Sequence, residues 1–572
     1  MQRAARLSTR GLALRRRTVL SCRCASTSTS APHEECDVVI VGGGPAGLAL
    51  ATALGTSDVV RASHKVVLVE AGSLSKIREW TMGPSEFSNR VSSITNASKS
   101  LLERIGAWSL VDTTRTMPIE AMQVWDGLSD ARITFDAAEA GLSPLGGMAT
   151  LVENLNIQRA LLHRLAQTPA VELADGVRVE RISPDDIEGG GWPVVHLSDG
   201  RRLRARLLVG ADGFNSPVRA YARITSTGWA YPTHAVVATL RHPPLSPFRR
   251  PPTNSTAYQR FLPTGPVAFL PLSDTAASLV WSTTPALAQA LKALDGDGFA
   301  SMVNAAFRLP ERSMRYLHAR LLEPAAPLGA EELKAEIAWR EASHGVDPHS
   351  AYASASSLVT DEGIPPADAG ALPPLITSVQ PGTVASFPLR YNHADAYLGE
   401  GAGARTVLVG DAAHTVHPLA GQGLNLGLGD VDALARCIIA AASRGGDIGA
   451  YTALMPYARE RYFENHKVMS AVDKLHKLYS TTAAPVVWAR STGLEVLNEL
   501  DTLKGVVMRS AGADVTDSGQ GAAWKWAMGT AADAVSGATN AVRTAEILGG
   551  ALGNVAAGAL RNAVLAATEK RQ

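Results

Sequence analysis

The sequence predicts an α/β fold in which a parallel sheet is assembled from segments far apart in the chain, with a mixed-sheet domain inserted between them. Three observations carry this expectation. The runs Cys36–Val41, Arg206–Gly210 and Thr406–Gly410 are apolar and β-branched, as suits strands buried on both faces. Each leads at once into a short segment rich in glycine or aspartate: Gly42-Gly43-Gly44-Pro45-Ala46-Gly47, Ala211-Asp212-Gly213 and Gly410-Asp411-Ala412-Ala413-His414. The long intervals between them contain alternating patterns of a different kind.

The first segment has the spacing Gly-x-Gly-x-x-Gly directly after a strand. Gly42 permits the tight turn, Gly44 lets a phosphate approach the backbone, and Gly47 lets the next helix pack close to the strand. That helix, roughly Ala46 to Leu54, would aim its free N–H groups and positive dipole end at a pyrophosphate. A second strand, Lys65 to Val69, ends in Glu70, whose carboxylate suits a ribose diol and would repel a 2′-phosphate. A glycine-rich turn with no ligand is the plain alternative, and the flanking strand and acid argue against it.

The second segment ends a strand in Asp212-Gly213, which is also a common hairpin signal, so a simple turn competes with a binding role here. In the third segment Asp411 follows a strand, and Pro418 to Asn425 lead into the helical pattern Leu426 to Ala441. A carboxylate at Asp411 would bond ribityl hydroxyls. Gly421 and Gly423 would let backbone N–H groups and a helix N-terminus face a flavin pyrimidine and stabilise the anionic reduced form. The set describes a discontinuous Rossmann-like FAD-binding domain. His414 and His417 lack the companion ligands of a metal site, so no metal is expected.

With the three segments in this order, the chain resembles the single-component aromatic flavin hydroxylases. Asn89 to Thr95, Val152 to Gln158, Gln259 to Pro266 and His414 to Asn425 look like the mitochondrial ring hydroxylases of ubiquinone biosynthesis, and the resemblance spans roughly 36–512. It implies that Arg90, Gln158 and Asn425 also contact the flavin; on spacing alone Arg90 reads equally as a surface cation and Gln158 as a solvent-facing helix residue. It implies a fold of the aromatic flavin hydroxylase type, with Arg260, Phe261, Phe387 and Arg390 near a ring pocket, although core packing explains the two Phe as well. In such enzymes the reduced flavin binds O2 as a C4a-hydroperoxide and passes a hydroxyl to an electron-rich ring. The implied substrate is a prenylated phenol of the polyprenyl-4-hydroxybenzoate type. No Ser/His/Asp or paired-carboxylate constellation stands out, and no catalytic acid or base is assigned. There is one convincing dinucleotide fingerprint, so electrons would come from transient NAD(P)H or another protein; the resemblance implies ferredoxin with its reductase. Association with other ubiquinone-biosynthesis proteins is a further expectation. The competing readings are an FAD-dependent reductase or epoxidase of another lipid, and a non-catalytic flavin subunit of a quinone-synthesis complex.

Composition bounds the rest. The chain has 572 residues, enough for two or more domains. Its first 33 residues hold seven Arg and no acid, the pattern of a mitochondrial transit peptide, with a basic nucleic-acid-binding arm as the rival reading. Without those seven the chain carries 47 Lys and Arg against 53 Asp and Glu, a net of −6, which gives no reason to expect nucleic acid. Of four cysteines only Cys36 and Cys437 lie beyond that segment, which suits a reducing matrix. No apolar run is long enough to span a bilayer, so membrane contact should be peripheral, on the matrix side of the inner membrane.

The expected division is a transit peptide to residue 33, FAD domain 34–229 and 385–470, substrate domain 230–384, C-terminal helices 471–513 and an Ala/Gly-rich tail 514–572. Within the substrate domain, His234 to Leu240, Val267 to Leu272 and Ala277 to Ser282 read as half-buried antiparallel strands, and Gly298 to Arg308 as a helix. Pro-rich stretches at His242 to Pro252 and Ile364 to Pro381 read as surface loops, the first with Arg241, Arg249 and Arg250 that would suit anionic lipid. The uncharged stretch between Glu546 and Arg561 would lie on a membrane, pack on the body or stay poorly ordered.

Overall fold

A computed structural model describes residues 33–129, 131–139, 141–142, 146–185, 191–244, 254–323, 329–343 and 372–498. The arginine-rich leader, Arg249 and Arg250, and the Ala/Gly-rich tail lie outside these residues.

The three apolar runs enter one seven-stranded sheet. Its parallel part runs in the order Val171–Asp175, Val66–Glu70, Glu34–Val41, Arg202–Gly210 and Thr406–Leu408. Register fixes where the strands end: Val69 lies beside Val41, Val41 beside Gly210, and Gly210 beside Leu408. All the following segments therefore leave from one edge. The helices Pro45–Thr56, Asn154–Ala166 and Gly423–Ser443 pack with these strands in a single core that includes Val39, Ile40, Leu50, Leu161, Leu208, Leu428 and Val431. Val38 to Ile40 and Leu207 to Val209 are wholly buried, as near-continuous apolar strands must be in a sheet covered on both faces.

The second sheet has nine strands and is mixed. Ser226–Arg241 lies between Ala385–Ala394 and Ala276–Thr283; Gly265–Ser273 and Thr256–Leu262 follow. Thr256–Leu262 then takes Ala121–Asp126 as its one parallel partner. The sheet is thus wider than the segment 230–384: Ala121–Asp126, Arg132–Asp136, Ala385–Ala394 and His414–Thr415 join it from outside. The alternating strands are also more buried than expected. Every residue of Thr256–Leu262 is buried, and seven of the eight in Ala276–Thr283. The reason is cover on both faces. Helices including Gly296–Arg308 and Glu311–Leu321 pack Phe299, Met302, Phe307 and Met314 against Trp125, Val236, Tyr258, Phe269 and Trp281 on one side. Tyr479, Leu475 and Leu478 of the long helix Tyr451–Ser480 meet Val124, Ile133 and Phe261 on the other.

The helical pattern after Tyr451 divides into Tyr451–Ser480 and Ala484–Asn498. The second helix is tied to the nine-stranded sheet by a buried bidentate ion pair: Arg490 Nε and Nη2 donate to Asp126 at 2.7 and 2.8 Å. Arg490 Nη1 also donates to the carbonyls of Leu478 and Thr481, at 2.8 and 2.9 Å. Removing one partner of such a pair strands a buried charge. Arg490→Leu is expected to cost about 3–5 kcal/mol in denaturant unfolding and to expose the final helix to protease, whereas a double change to Asp126→Leu with Arg490→Leu should recover much of the loss.

Candidate functional site

The shared strand edge gathers the three segments, and backbone geometry explains the first. Gly42 has φ +109°, and a Cβ there would lie 2.3 Å from the Ala211 carbonyl oxygen. A Cβ on Gly47 would lie 1.9 Å from the Gly42 carbonyl oxygen, so helix and strand close only on glycine. Gly44 differs: a Cβ there meets nothing within 4 Å, leaving open space before a helix whose N-terminus no side chain caps. Glu70 faces this turn. Its two oxygens accept the N–H groups of Gly43 at 2.5 Å and Gly72 at 2.6 Å. Gln158 reaches the same turn, donating to the Gly43 carbonyl at 3.4 Å.

Asp212 and Gly213 do not form a hairpin. The strand Arg202–Gly210 has parallel neighbours at this end and continues into the helix Pro217–Tyr221. Asp212 Oδ2 accepts the Val218 N–H at 3.1 Å, while Oδ1 is buried without a hydrogen-bond partner among the described residues. Burial raises this carboxyl above the usual range, opposed by hydrogen bonds from Ser216 and Val218 and by the charge of Arg219. Arg219 joins the second segment to the third, donating to the carbonyls of Phe214 at 2.5 Å and Ala412 at 2.7 Å.

Gly410 and Asp411 follow the strand Thr406–Leu408 at the same sheet edge. The Asp411 side chain is exposed there, yet the surrounding protein still raises its pKa, countered by the charges of His414 and Arg90. Beneath the turn lies Asp430, fully buried in the helix Gly423–Ser443. Asp430 Oδ2 accepts the Gly410 N–H at 3.0 Å and lies 2.6 Å from His414 Nε2. Oδ1 accepts Arg461 Nε at 3.0 Å and Asn465 Nδ2 at 2.9 Å, both from the helix Tyr451–Ser480. Burial alone would raise the Asp430 pKa; His414, Arg461 and Asn465 outweigh it and hold the group down at about 2. Sequence reasoning missed Asp430, Arg461 and Asn465. The available signal was a lone acid among Leu426, Leu428, Val431 and Leu434 on an otherwise apolar helix face.

Gly421 and Gly423 lie at the start of the same helix, which again has no side-chain cap. Asn425 was expected to touch the flavin; its amide is committed to the protein. It accepts the Thr95 N–H at 3.0 Å and donates to the Ser93 carbonyl at 2.7 Å, tying the strand Val91–Thr95 to the helix start.

The four expected ring-pocket residues do not converge. Arg260 is fully buried and donates to the carbonyls of Ala306 and Leu309 at 2.9 and 2.8 Å, on the face covered by Gly296–Arg308. That corrects its expected place: strand alternation sends it away from its neighbour Phe261, which stacks on Tyr479 with ring centres 4.0 Å apart. Phe387 is partly exposed on Ala385–Ala394, and Arg390 lies over the Phe214 ring at 4.8 Å, beside the second segment. Among the described residues no three His, Cys, Asp or Glu are grouped to hold a metal ion. A cavity of about 510 Å³ lined by Leu398, Arg405, Thr406 and Tyr451 opens at the amino end of Thr406–Leu408, opposite these segments.

Comparison with known proteins gives matches over most of the chain. The family described as FAD binding domain matches residues 35–295 and 374–471. The chain is 41% identical over 480 residues to the ubiquinone biosynthesis monooxygenase COQ6, mitochondrial, of Xenopus tropicalis, covering 83% of this chain and 93% of that protein. It is 37% identical to the Saccharomyces cerevisiae protein of the same name, over 86% of this chain and 96% of that one. Among solved structures, p-nitrophenol 4-monooxygenase PnpA from Pseudomonas putida has a TM-score of 0.55 at 17% identity, covering 84% of this chain and 100% of that chain. HpxO of Klebsiella pneumoniae, complexed with FAD and uric acid, has a TM-score of 0.53 at 17% identity, covering 83% of this chain and 97% of that chain. At such identities these two establish the fold alone.

The Asp430 network makes an acid-side prediction. Its folded pKa of about 2 lies below the roughly 3.9 of an unfolded Asp, so its contribution is present above about pH 4 and is lost as pH falls through 2. The contribution should be about 2–3 kcal/mol. Denaturant unfolding followed from pH 5 to pH 2 should show this slope in the wild type and a flatter one in Asp430→Asn.

Proposed function

Because the chain belongs to the family of mitochondrial ubiquinone-biosynthesis monooxygenases, we propose that it is an FAD-dependent monooxygenase that hydroxylates the ring of a polyprenyl-4-hydroxybenzoate-type precursor beside the carbon bearing the phenolic oxygen. The observation that carries this reading is the convergence of the three segments on one strand edge, in a chain 41% identical to a ubiquinone biosynthesis monooxygenase over 83% of its length.

The residues fit the cofactor. The open face of Gly44 and the uncapped helix behind it suit a pyrophosphate, and Glu70 keeps lone pairs for a ribose diol beyond its two backbone bonds. Asp212 Oδ1, unpartnered among the described residues, and the exposed carboxylate of Asp411 suit hydroxyl donors along the ribityl chain. Arg90, whose charge is felt at Asp411, and Gln158, beside Gly43, complete the set. Gly421 and Gly423 would present a helix N-terminus to the pyrimidine. Bound flavin supplies the activation of O2. The protein's work is to place the ring, exclude water and stabilise negative charge at that helix start.

The finer assignments form part of the same proposal. Electrons come from transient NAD(P)H or a ferredoxin with its reductase, and the protein works beside other enzymes of the pathway on the matrix side of the inner membrane. Its contact with that membrane is peripheral; among the described residues no helix is long and apolar enough to cross it. The domain division read from the sequence is amended in one respect: Ala121–Asp126, Arg132–Asp136, Ala385–Ala394 and His414–Thr415 are counted to the substrate side.

Asp411→Ala tests the site. Losing a charged hydrogen-bond acceptor costs about 1.5–3 kcal/mol, so FAD affinity of the deflavinated protein should fall about 10- to 150-fold by fluorescence titration. An unchanged FAD affinity in the variant would remove Asp411 from the site. Labelled O2 supplied with a prenylated 4-hydroxybenzoate and a reduced donor, NADPH or ferredoxin with its reductase, should place one labelled oxygen on the ring and the other in water, and a hydroxylated product without label would refute the reaction.

A further inference from the structure

His417 lies between the glycine turn that starts the helix Gly423–Ser443 and the nine-stranded sheet, with half of its hydrogen-bonding capacity unaccounted for. Its Nδ1 accepts the Leu419 backbone N–H at 3.1 Å, closing the turn Pro418–Ala420. The ring is only 1% exposed. Burial, then the neighbouring His476, pushes its pKa down to about 3, so it is neutral at physiological pH. A neutral imidazole whose Nδ1 is an acceptor carries its proton on Nε2. That Nε2 is buried and has no acceptor among the described residues.

The neighbours do not supply one. Tyr231 meets His417 edge to face, with ring centres 5.0 Å apart, and its hydroxyl is committed to Asp473 Oδ1 at 2.9 Å. Asp473 in turn holds Lys477 at 2.7 Å. His476 lies 4.7 Å away at an interplanar angle of 33°, and no hydrogen bond joins it to His417 Nε2. His476 Nδ1 is itself buried without a partner. A buried donor left unpaired costs about 1–3 kcal/mol, a cost that a functional ligand would relieve.

We propose that His417 Nε2–H donates a hydrogen bond to an oxygen of a group bound between this turn and the sheet: the phenolic oxygen of the ring substrate or a carbonyl of the flavin pyrimidine. The proposal rests on the hydroxylase reading above. A neutral donor fits either acceptor. It favours negative charge on a phenolic oxygen, which makes the ring more nucleophilic, or on a reduced flavin, and no proton is transferred.

Two substitutions separate the donor from the turn. His417→Ser keeps an oxygen for the Leu419 N–H but provides no donor of equivalent reach; His417→Asn keeps both an acceptor and a donor. FAD affinity, the visible flavin spectrum, KM and the pKa of a bound 4-hydroxybenzoate with a short prenyl chain are measured for each. If the acceptor is the substrate, His417→Ser raises KM about tenfold and raises the bound phenol's pKa, leaves FAD affinity unchanged, and His417→Asn restores most of the loss. If the acceptor is the flavin, FAD affinity falls about tenfold and the spectrum shifts, with the same rescue. The proposal is overturned if His417→Ser changes neither set, if His417→Asn fails to rescue, or if His476→Phe reproduces the loss, which would make His476 the acceptor. Wild-type protein that neither binds nor oxidises the phenol would defeat the hydroxylase reading alone, and the FAD measurements would still decide the role of His417.

Discussion

The alignment of parallel strand ends is the constraint on which the rest of this structure depends. Hydrogen bonding sets Val69, Val41, Gly210 and Leu408 side by side, so whatever follows each strand must emerge at the same edge. Three segments far apart in the chain thus become one surface, before any side chain of theirs makes a contact specific to the site. The close approaches at Gly42 and Gly47 then bring the first helix against its own strand and Ala211 against the first turn. Ligands of open α/β sheets bind at such carboxyl edges because helix N-termini and free backbone N–H groups collect there.

A second layer of interactions keeps that edge rigid. Asp430 holds the Gly410 N–H, His414, Arg461 and Asn465 at once, joining the third segment to two helices. Arg219 bonds carbonyls from the second and third segments, and Asn425 bonds the strand Val91–Thr95 to the helix start. These partners are buried or partly buried, where an unmatched polar group costs most, so the bonds specify geometry more than they add stability.

This division explains what the sequence made legible. The glycine turn could be read because its demands are local: a positive φ at Gly42 and no Cβ at Gly47 are written in single residues. The strands could be read because burial on both faces needs continuous apolar runs. Asp430 was hidden because its partners Arg461 and Asn465 lie 31 and 35 residues away on another helix. Arg260 and Phe261 show the opposite limit. Strand periodicity puts them on opposite faces, but which face meets the C-terminal helices is decided by the packing of Tyr479 and Phe307, remote from either.

The loop leading to Arg90 shows how the two sheets share one task. Glu153, fully buried, accepts the Ser88 N–H at 2.5 Å and Arg115 Nε at 2.7 Å, and Asn154 donates its N–H to the Arg90 carbonyl at 3.0 Å. Arg115 completes the pin through the carbonyls of Gly83 and Glu86, with its guanidinium over Trp80 and Phe87. From the other side Gln380 pairs with both the N–H and the carbonyl of Phe87, at 3.0 and 2.9 Å, and Asn89 donates to the Thr383 carbonyl at 2.8 Å. The backbone carrying Arg90 is therefore held by a third sheet, of Val91–Thr95, Ala149–Glu153 and Thr116–Ile119, and by the segment after Ser378–Val379, which pairs with Ser226–Arg241 of the nine-stranded one. A shift of either sheet relative to the other must move this loop or break its bonds, so the placement of the Arg90 cation beside Asp411 depends on both sheets.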